Sequence, residues 1–200
     1  MIDLSEAVHH WLEYQRCIGI DRFLNESALT IPIVAYLRSQ GWDTKMETDY
    51  GNICSSVTAG KCFADFFFNR ANDNLILETK FFKSSSHNDI FNGLVRLALP
   101  QSSIQRYALL VWFKGNPPPW GPFRGLLGLQ KGSALELDPH QATLTVAGKK
   151  SQLKYNAEKF AALCAFGHPL STISATCVQR SESPSESSGY GVIVMSVGRS

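Results

Sequence analysis

The sequence predicts an α/β protein, and two observations carry that prediction. Apolar residues recur at helical spacing over residues 4–17, 25–40 and 87–99, which indicates amphipathic helices. Strand-forming residues dominate three consecutive stretches within 42–82 and one stretch at 106–115. The order from residue 25 onward is therefore helix, strand, strand, strand, helix, strand, which is typical of a layered α/β arrangement.

The composition bounds the class of protein. The 200 residues are 44% hydrophobic with a net charge of +2, so the overall charge requires neither nucleic acid nor an anionic membrane as a partner. Five cysteines form an odd set without a Cys-x-x-Cys pair, which disfavours a disulfide framework and a structural zinc site. Neither a secretory signal nor an apolar run of about 20 residues is evident. We expect a cytoplasmic protein without a membrane partner.

The second helix has identifiable end signals and one complication. Asn25 is the predicted N-cap and Gly41 the predicted stop. Pro32 in a helix interior removes a hydrogen bond and clashes with the preceding turn. Either this helix is kinked or a new segment begins near Thr30.

The strands are predicted from their composition and turns. "WDTKMETDY", "CFADFFFN" and "NLILETKFF" are rich in strand formers, and the last two are joined by the turn-like "RAND". "RYALLVWFKG" is apolar on both faces, as expected for a central, covered strand.

The remainder of the chain predicts an extension to this core. "SALELDPHQATLTVAG" indicates a β-hairpin that turns at Asp138-Pro139, and "NAEKFAALCAFG" a short helix. We expect one domain over residues 1–170 with its core at 25–114. Residues 171–200 are predicted to form a C-terminal tail with a flexible linker at 179–191. The final "VIVMSV" is either an added strand or an unpaired segment.

Three charged residues interrupt the most apolar part of the chain: Asp65, Glu78 and Lys80. A buried unpaired charge costs several kcal/mol, so these groups need compensation. If their two strands form a hairpin turning about residues 71–72, cross-strand partners sum to 143. Asp65 then lies directly across from Glu78, with Cβ atoms about 4.5–5.5 Å apart. Lys80 projects from the same face as Glu78, since side chains alternate along a strand.

Two carboxylates that close repel each other unless a cation lies between them. Magnesium suits this pair because it is a hard ion, usually held by one or two carboxylates and waters. Lys80 could then hold or help deprotonate a metal-bound water, or equally stabilise a negatively charged transition state. The alternative is a plain cross-strand ion pair between Asp65 and Lys80 on a half-exposed sheet.

The motif formed by Asp65 and Glu78-Thr79-Lys80, within the helix and strand order of residues 25–114, resembles the PD-(D/E)XK nuclease superfamily. That family has a restriction endonuclease-like core, αβββαβ, with a mixed central sheet flanked by helices. The resemblance implies a Mg²⁺ ion, for which Mn²⁺ can substitute, bound by Asp65, Glu78 and the backbone carbonyl of Thr79. It also implies that Lys80 positions the attacking water.

Further residues are candidates by the same resemblance. Many members add an acid from the first core helix, and Glu26 matches that position, where it would hold an outer-shell water or a second ion. Lys61 in the loop between the first two strands, and Lys83 just past the motif, are candidate phosphate contacts. Asn92 and Arg96 belong to a polar stripe on the helix 87–99 that would border the substrate. For each of these four residues the alternative is a solvated surface position.

We therefore expect a Mg²⁺-dependent nuclease that hydrolyses phosphodiester bonds, with DNA as the favoured substrate, in restriction, repair, recombination or phage defence. Because many nucleases of this fold cut two strands as dimers, a homodimer is a further hypothesis. The alternatives are a non-catalytic nucleic-acid-binding or assembly subunit with the same fold, and an interaction module whose charged trio is only an ion pair.

Overall fold

A computed structural model describes residues 4–49, 63–82, 87–98, 104–116, 125–153, 172–185 and 187–199. The helices in these ranges are α1 (Leu4–Cys17), α2 (Thr30–Ser39) and α3 (His87–Ala98), with short 3₁₀ turns at Asp21–Phe23 and Glu26–Leu29. Residues 125–127 are also helical. The strands are β1 (Asp43–Asp49), β2 (Phe63–Arg70), β3 (Asp73–Phe81), β4 (Gln105–Phe113), β5 (Ala134–Asp138), β6 (Thr143–Val146), β7 (Lys149–Gln152), β8 (Ile173–Glu182) and β9 (Tyr190–Arg199).

These strands form one mixed sheet in the order β1-β2-β3-β4-β9-β8-β5-β6-β7. Strands β3 and β4 run parallel, and the remaining neighbours run antiparallel. The molecule is thus an α/β protein with a large mixed sheet flanked by helices. The predicted order of helix, three strands, helix and strand is confirmed as α2, β1, β2, β3, α3 and β4.

Helices cover both faces of the sheet. Successive residues of its central strands, which point to opposite faces, are therefore both buried. Leu77 of β3 packs in one apolar cluster with Leu12 of α1 and Ile33 of α2. Its neighbour Ile76 packs in a second cluster with Leu94 of α3. A strand buried on both faces needs a continuous apolar sequence. β4 has one over 107–113, and β3 has a short one over 75–77 before its charged residues.

The start of α2 resolves the complication at Pro32. The side chain of Asn25 caps the 3₁₀ turn at Glu26–Leu29, and α2 begins as a new segment at Thr30. Pro32 therefore lies in the first turn of α2, where a missing N–H removes no intrahelical hydrogen bond. Gly41 follows the helix with a φ of +79°, a left-handed conformation that glycine adopts without a steric penalty.

The prediction of a C-terminal tail over 171–200 is wrong. Strand β9 lies between β4 and β8 in the sheet, and its residues Val192–Met195 are fully buried. The predicted linker over 179–191 is also wrong at both ends, because β8 continues to Glu182 and β9 begins at Tyr190. Strand β8 alternates buried and half-buried positions as far as Arg180. Of the polar residues that suggested a linker, Arg180 and Ser181 are half-buried, whereas Gln179 is buried and its Oε1 accepts a hydrogen bond from the backbone N–H of Ser5.

The hairpin predicted around residues 138–139 is confirmed as β5 and β6, which pair antiparallel and extend the sheet beyond β8. The helix predicted from "NAEKFAALCAFG" falls outside the described residues. In the part of the chain that the structure describes, none of the helices combines the length and apolar character needed to cross a membrane.

Candidate functional site

The site begins where the pairing between β2 and β3 ends. Their pairing follows the predicted register, with partners that sum to 143, and the last pair is Phe66 with Leu77. Asp65 lies one position beyond that pair, so it is not a ladder partner directly across from Glu78 as predicted. Instead, Oδ2 of Asp65 accepts hydrogen bonds from the backbone N–H of Thr79 at 2.7 Å and from its hydroxyl at 3.1 Å.

Irregularities in β2 and in its neighbour β1 explain the position of Asp65. Ala64 and Phe66 would share a face in a regular strand, yet they pack in the clusters on opposite faces of the sheet. On β1, the pairs of Met46 and Thr48 flank the position of Glu47, which lies opposite Asp65 with a φ of +47°. Non-glycine residues rarely adopt that conformation, and it accumulates at functional sites.

Glu26 reaches the same edge of β3 from the 3₁₀ turn before α2. Its Oε1 accepts a hydrogen bond from the Lys80 ammonium at 2.9 Å, and its Oε2 accepts the backbone N–H of Phe81 at 3.3 Å. The amides of Thr79 and Phe81 point toward the space that β2 has left. Asp65 and Glu26 therefore satisfy two amides that would otherwise lack a strand partner.

Lys80 is the cation between these two acids. Its Nζ lies 2.9 Å from Glu26 and 3.8 Å from Asp65, and its side chain is only 10% exposed. The arrangement contains the Asp65–Lys80 ion pair that the sequence left open as an alternative. It adds Glu26 as the closer partner, so the lysine is held by two carboxylates.

Glu78 lies beneath α3. The residue is 1% exposed, and its Oε2 accepts a hydrogen bond from Nη2 of Arg96 at 2.9 Å. A Cβ atom added to Gly93 would lie 3.9 Å from that oxygen and 3.8 Å from Cε of Lys80. Glu78 and Lys80 therefore pack together against the same turn of α3, as expected for side chains on one face of β3.

The charges of this cluster nearly cancel. Three carboxylates, those of Glu26, Asp65 and Glu78, face two cations, Lys80 and Arg96. Within the described ranges no three His, Cys, Asp or Glu side chains are grouped closely enough to hold a metal ion. The donor type nevertheless suits magnesium, which prefers oxygen and is commonly held by one or two carboxylates with waters.

The position of Thr79 is compatible with its predicted role. In an extended strand, the N–H and C=O of one residue point to the same neighbour. Since the N–H of Thr79 bonds Asp65, its carbonyl also faces the side where β2 has departed. The predicted ligands Asp65 and Thr79 are thus adjacent, whereas the carboxylate of Glu78 is engaged on the α3 side.

A cleft of about 570 Å³ opens beside Asp65, between the start of α2 and the middle of β1. Glu26, Glu47 and Asp65 give it an acidic wall, and Ile31, Met46 and Phe66 give it apolar surface. The sequence did not identify Glu47, because an isolated acid on an edge strand carries no local signal. Only its unusual φ and its place opposite Asp65 distinguish it.

The predicted substrate contacts are only partly described. Arg96 lies at the site, where its guanidinium donates a hydrogen bond to Glu78. Lys61, Lys83 and the side chain of Asn92 lie outside the described residues, so their predicted roles stay predictions.

Comparison with known proteins adds no relative. No protein-family model matches the chain, and neither the curated proteins nor the solved structures contain a significant match. The resemblance to the PD-(D/E)XK nucleases therefore rests on the sequence motif and the order of helices and strands alone.

Proposed function

We propose that the protein is a Mg²⁺-dependent nuclease that hydrolyses phosphodiester bonds, with DNA as the favoured substrate. The observation that carries this proposal is the position of Lys80. Its ammonium lies 2.9 Å from Glu26 and 3.8 Å from Asp65, at a strand edge beside an open cleft. A cation held between two acids beside a cavity is an arrangement that can orient water and an anionic substrate.

The element order supports a restriction endonuclease-like core as part of the same proposal. α2, β1, β2, β3, α3 and β4 follow in the order of that core, and β3 and β4 run parallel. The candidate acids lie on β2 and β3 at the point where these strands separate. The separation leaves backbone amides and carbonyls facing outward, which gives a polar site at the edge of an apolar sheet.

The carboxylates fit a divalent ion by chemistry. Asp65, Glu78 and the carbonyl of Thr79 would hold Mg²⁺, and Glu26 would hold an outer-shell water. When bound, the ion lowers the pKa of a water and neutralises charge that develops on the phosphate. Lys80 would orient that water through its ammonium. Arg96 would have to share Glu78 with the ion, so we expect binding of Mg²⁺ to weaken the Arg96–Glu78 contact.

The proposal is tested by incubating the purified protein with plasmid, linear duplex, single-stranded DNA and RNA. Each substrate is combined with Mg²⁺, Mn²⁺ or EDTA. We expect cleavage with either metal, no cleavage in EDTA, and at least about a hundredfold loss in Asp65→Asn, since a positioned electrostatic contact of this kind contributes 10²–10³ in rate. Asp43→Asn, an exposed acid on β1, is the control. Equal cleavage with and without EDTA would contradict a metal-dependent reaction.

One observation favours the non-catalytic alternative, a nucleic-acid-binding or assembly subunit. The buried Glu78 already has a cationic partner in the partly buried Arg96, and Lys80 is held by Glu26 and Asp65. An ion-paired cluster of this kind is stable without a metal. This alternative predicts binding of nucleic acid in EDTA and no cleavage with any of the metals, so the same panel of reactions separates the two functions.

A further inference from the structure

Two large apolar side chains stand exposed at the mouth of the acidic cleft. Ile31, near the start of α2, is 62% exposed, and Met46, on β1, is 51% exposed. Both line the cleft together with the buried ring of Phe66. Exposed apolar groups beside a polar site commonly mark a surface that binds a ligand.

The charge of the cleft restricts what that ligand can be. Its lining holds the carboxylates of Glu26, Glu47 and Asp65, and among the lining residues that the structure describes there is neither lysine nor arginine. The ammonium of Lys80, 2.9 Å from Glu26 and 3.8 Å from Asp65, offsets part of this negative charge, so one phosphate can approach at that point. A run of several phosphates along the rest of the acidic wall is disfavoured, since nucleic-acid backbones are bound through neutralisation by lysine and arginine. An uncharged, flat group beside a single phosphate avoids that repulsion, because only the phosphate must approach the acids.

We propose that this cleft receives one unpaired nucleotide next to the phosphate that is cut. Its base would lie against Ile31, Met46 and Phe66, and its phosphate would lie toward Asp65. The inference rests on the proposed nuclease function and specifies its substrate class: nucleic acid with an unpaired base at the cut, as in a single strand, a frayed end or a mismatch.

Both the size and the chemistry of the cleft suit one nucleotide. Pockets that bind small ligands have volumes of about 300–1,000 Å³, and this one has about 570 Å³. Enzymes that act at a base commonly hold it, extruded from the stack, between apolar or aromatic side chains. In a matched duplex the base faces are stacked and inaccessible to Ile31 and Met46, and only the charged backbone would meet the acidic walls.

The test uses Met46→Ala and Ile31→Ala in the full-length protein, with Phe23→Ala as the matched control. Phe23 is 70% exposed and is not part of the cleft lining, so its loss removes similar apolar surface elsewhere. Three fluorescent DNAs of equal length are compared: a single strand, a matched duplex, and a duplex with one unpaired nucleotide. Binding is measured by anisotropy with Ca²⁺, and cleavage with Mg²⁺.

We expect the wild type to prefer both DNAs with unpaired bases, and both cleft variants to bind and cut them about fivefold or more weakly. Phe23→Ala should behave as the wild type. Cleavage that prefers the matched duplex, or that is unchanged in both cleft variants, overturns the inference and leaves the nuclease function standing. Binding to unpaired DNA that falls in the cleft variants, without Mg²⁺-dependent cleavage of any DNA, supports the inference and overturns the nuclease. If the wild type neither prefers the DNAs with unpaired bases nor cuts any DNA with Mg²⁺, the inference and the nuclease function are both overturned.

Discussion

The ammonium of Lys80 lies 2.9 Å from Oε1 of Glu26, although 54 positions separate these residues in the chain. The contact joins the turn before α2 to the end of β3, at the place where β3 has lost β2 as a partner. It brings the candidate catalytic lysine to an acid that the resemblance pairs with a water or a second ion rather than with Lys80. The same carboxylate also accepts the N–H of Phe81, so the structure anchors Glu26 at two points.

Replacing Glu26 separates its structural role from its proposed chemical role. Glu26→Gln keeps an oxygen for the Phe81 amide but removes the charge facing Lys80, so we expect a clear loss of cleavage with little change in stability. Glu26→Ala also leaves that amide without its acceptor and should lower the free energy of unfolding by a further 1–3 kcal/mol or so. Urea denaturation of both variants checks the stability. Equal stability of the two would contradict the anchoring role.

Removing Arg96 tests whether Glu78 depends on it. Arg96→Leu would leave a nearly fully buried carboxylate without that partner, which typically costs about 3–5 kcal/mol. Arg96→Leu combined with Glu78→Leu removes both charges, so it should restore much of the lost stability. Arg38→Leu, at an exposed arginine of α2, is the control and should be nearly neutral. Purely additive effects in this double-mutant cycle would contradict a coupled pair.

Binding of Mg²⁺ should stabilise the folded protein, because an ion that binds only the native state raises its melting temperature. We expect a rise that saturates with concentration in the wild type and disappears in Asp65→Asn and Glu78→Gln. The measurement is thermal unfolding with increasing MgCl₂ at constant ionic strength, with Asp43→Asn as a control that keeps the rise. A rise that persists in Asp65→Asn would place the ion elsewhere.

The stability of the fold should fall as the solution is acidified, in part through His9. Burial between α1 and the β8–β9 hairpin lowers the pKa of His9 below its usual 6.5, and both ring nitrogens contact serines: Nδ1 lies 2.9 Å from Ser181 Oγ and Nε2 3.2 Å from Ser183 Oγ. The unfolded chain therefore binds the proton more readily. The contribution of neutral His9 is present above about pH 6.5 and is lost as the pH falls toward the lowered pKa.

The check is urea denaturation at about pH 7.5 and about pH 5.5, on either side of the usual histidine pKa. His9→Gln should flatten part of this dependence, because glutamine does not titrate. An identical pH dependence in His9→Gln and the wild type would contradict the role of His9.

Much of the site-bearing half of the fold could be predicted because its signals are local. The helical spacing in α1 and α3, the apolar run of β4 and the turn between β2 and β3 each lie within one short stretch. The register of β2 and β3 followed from that turn alone, and it placed Asp65, Glu78 and Lys80 at one end of the hairpin.

The rest depends on contacts between distant segments. The departure of Asp65 from the ladder depends on β1, where Glu47 takes its unusual conformation. The Arg96–Glu78 pair depends on how α3 docks on β3. β8 and β9 looked like a tail because the serine-rich stretch between them suggested a linker, whereas their pairing with β4 and β5 has no signature in their own residues.

The most direct test of the nuclease account is a comparison of Mg²⁺-dependent DNA cleavage by the wild type, Lys80→Ala and Lys45→Ala. Lys45 is an exposed lysine on β1, so its variant controls for the loss of a positive charge. With circular dichroism showing all three proteins folded, we predict that the wild type and Lys45→Ala cut DNA and that Lys80→Ala does not. Cleavage by folded Lys80→Ala at the wild-type rate would contradict the account.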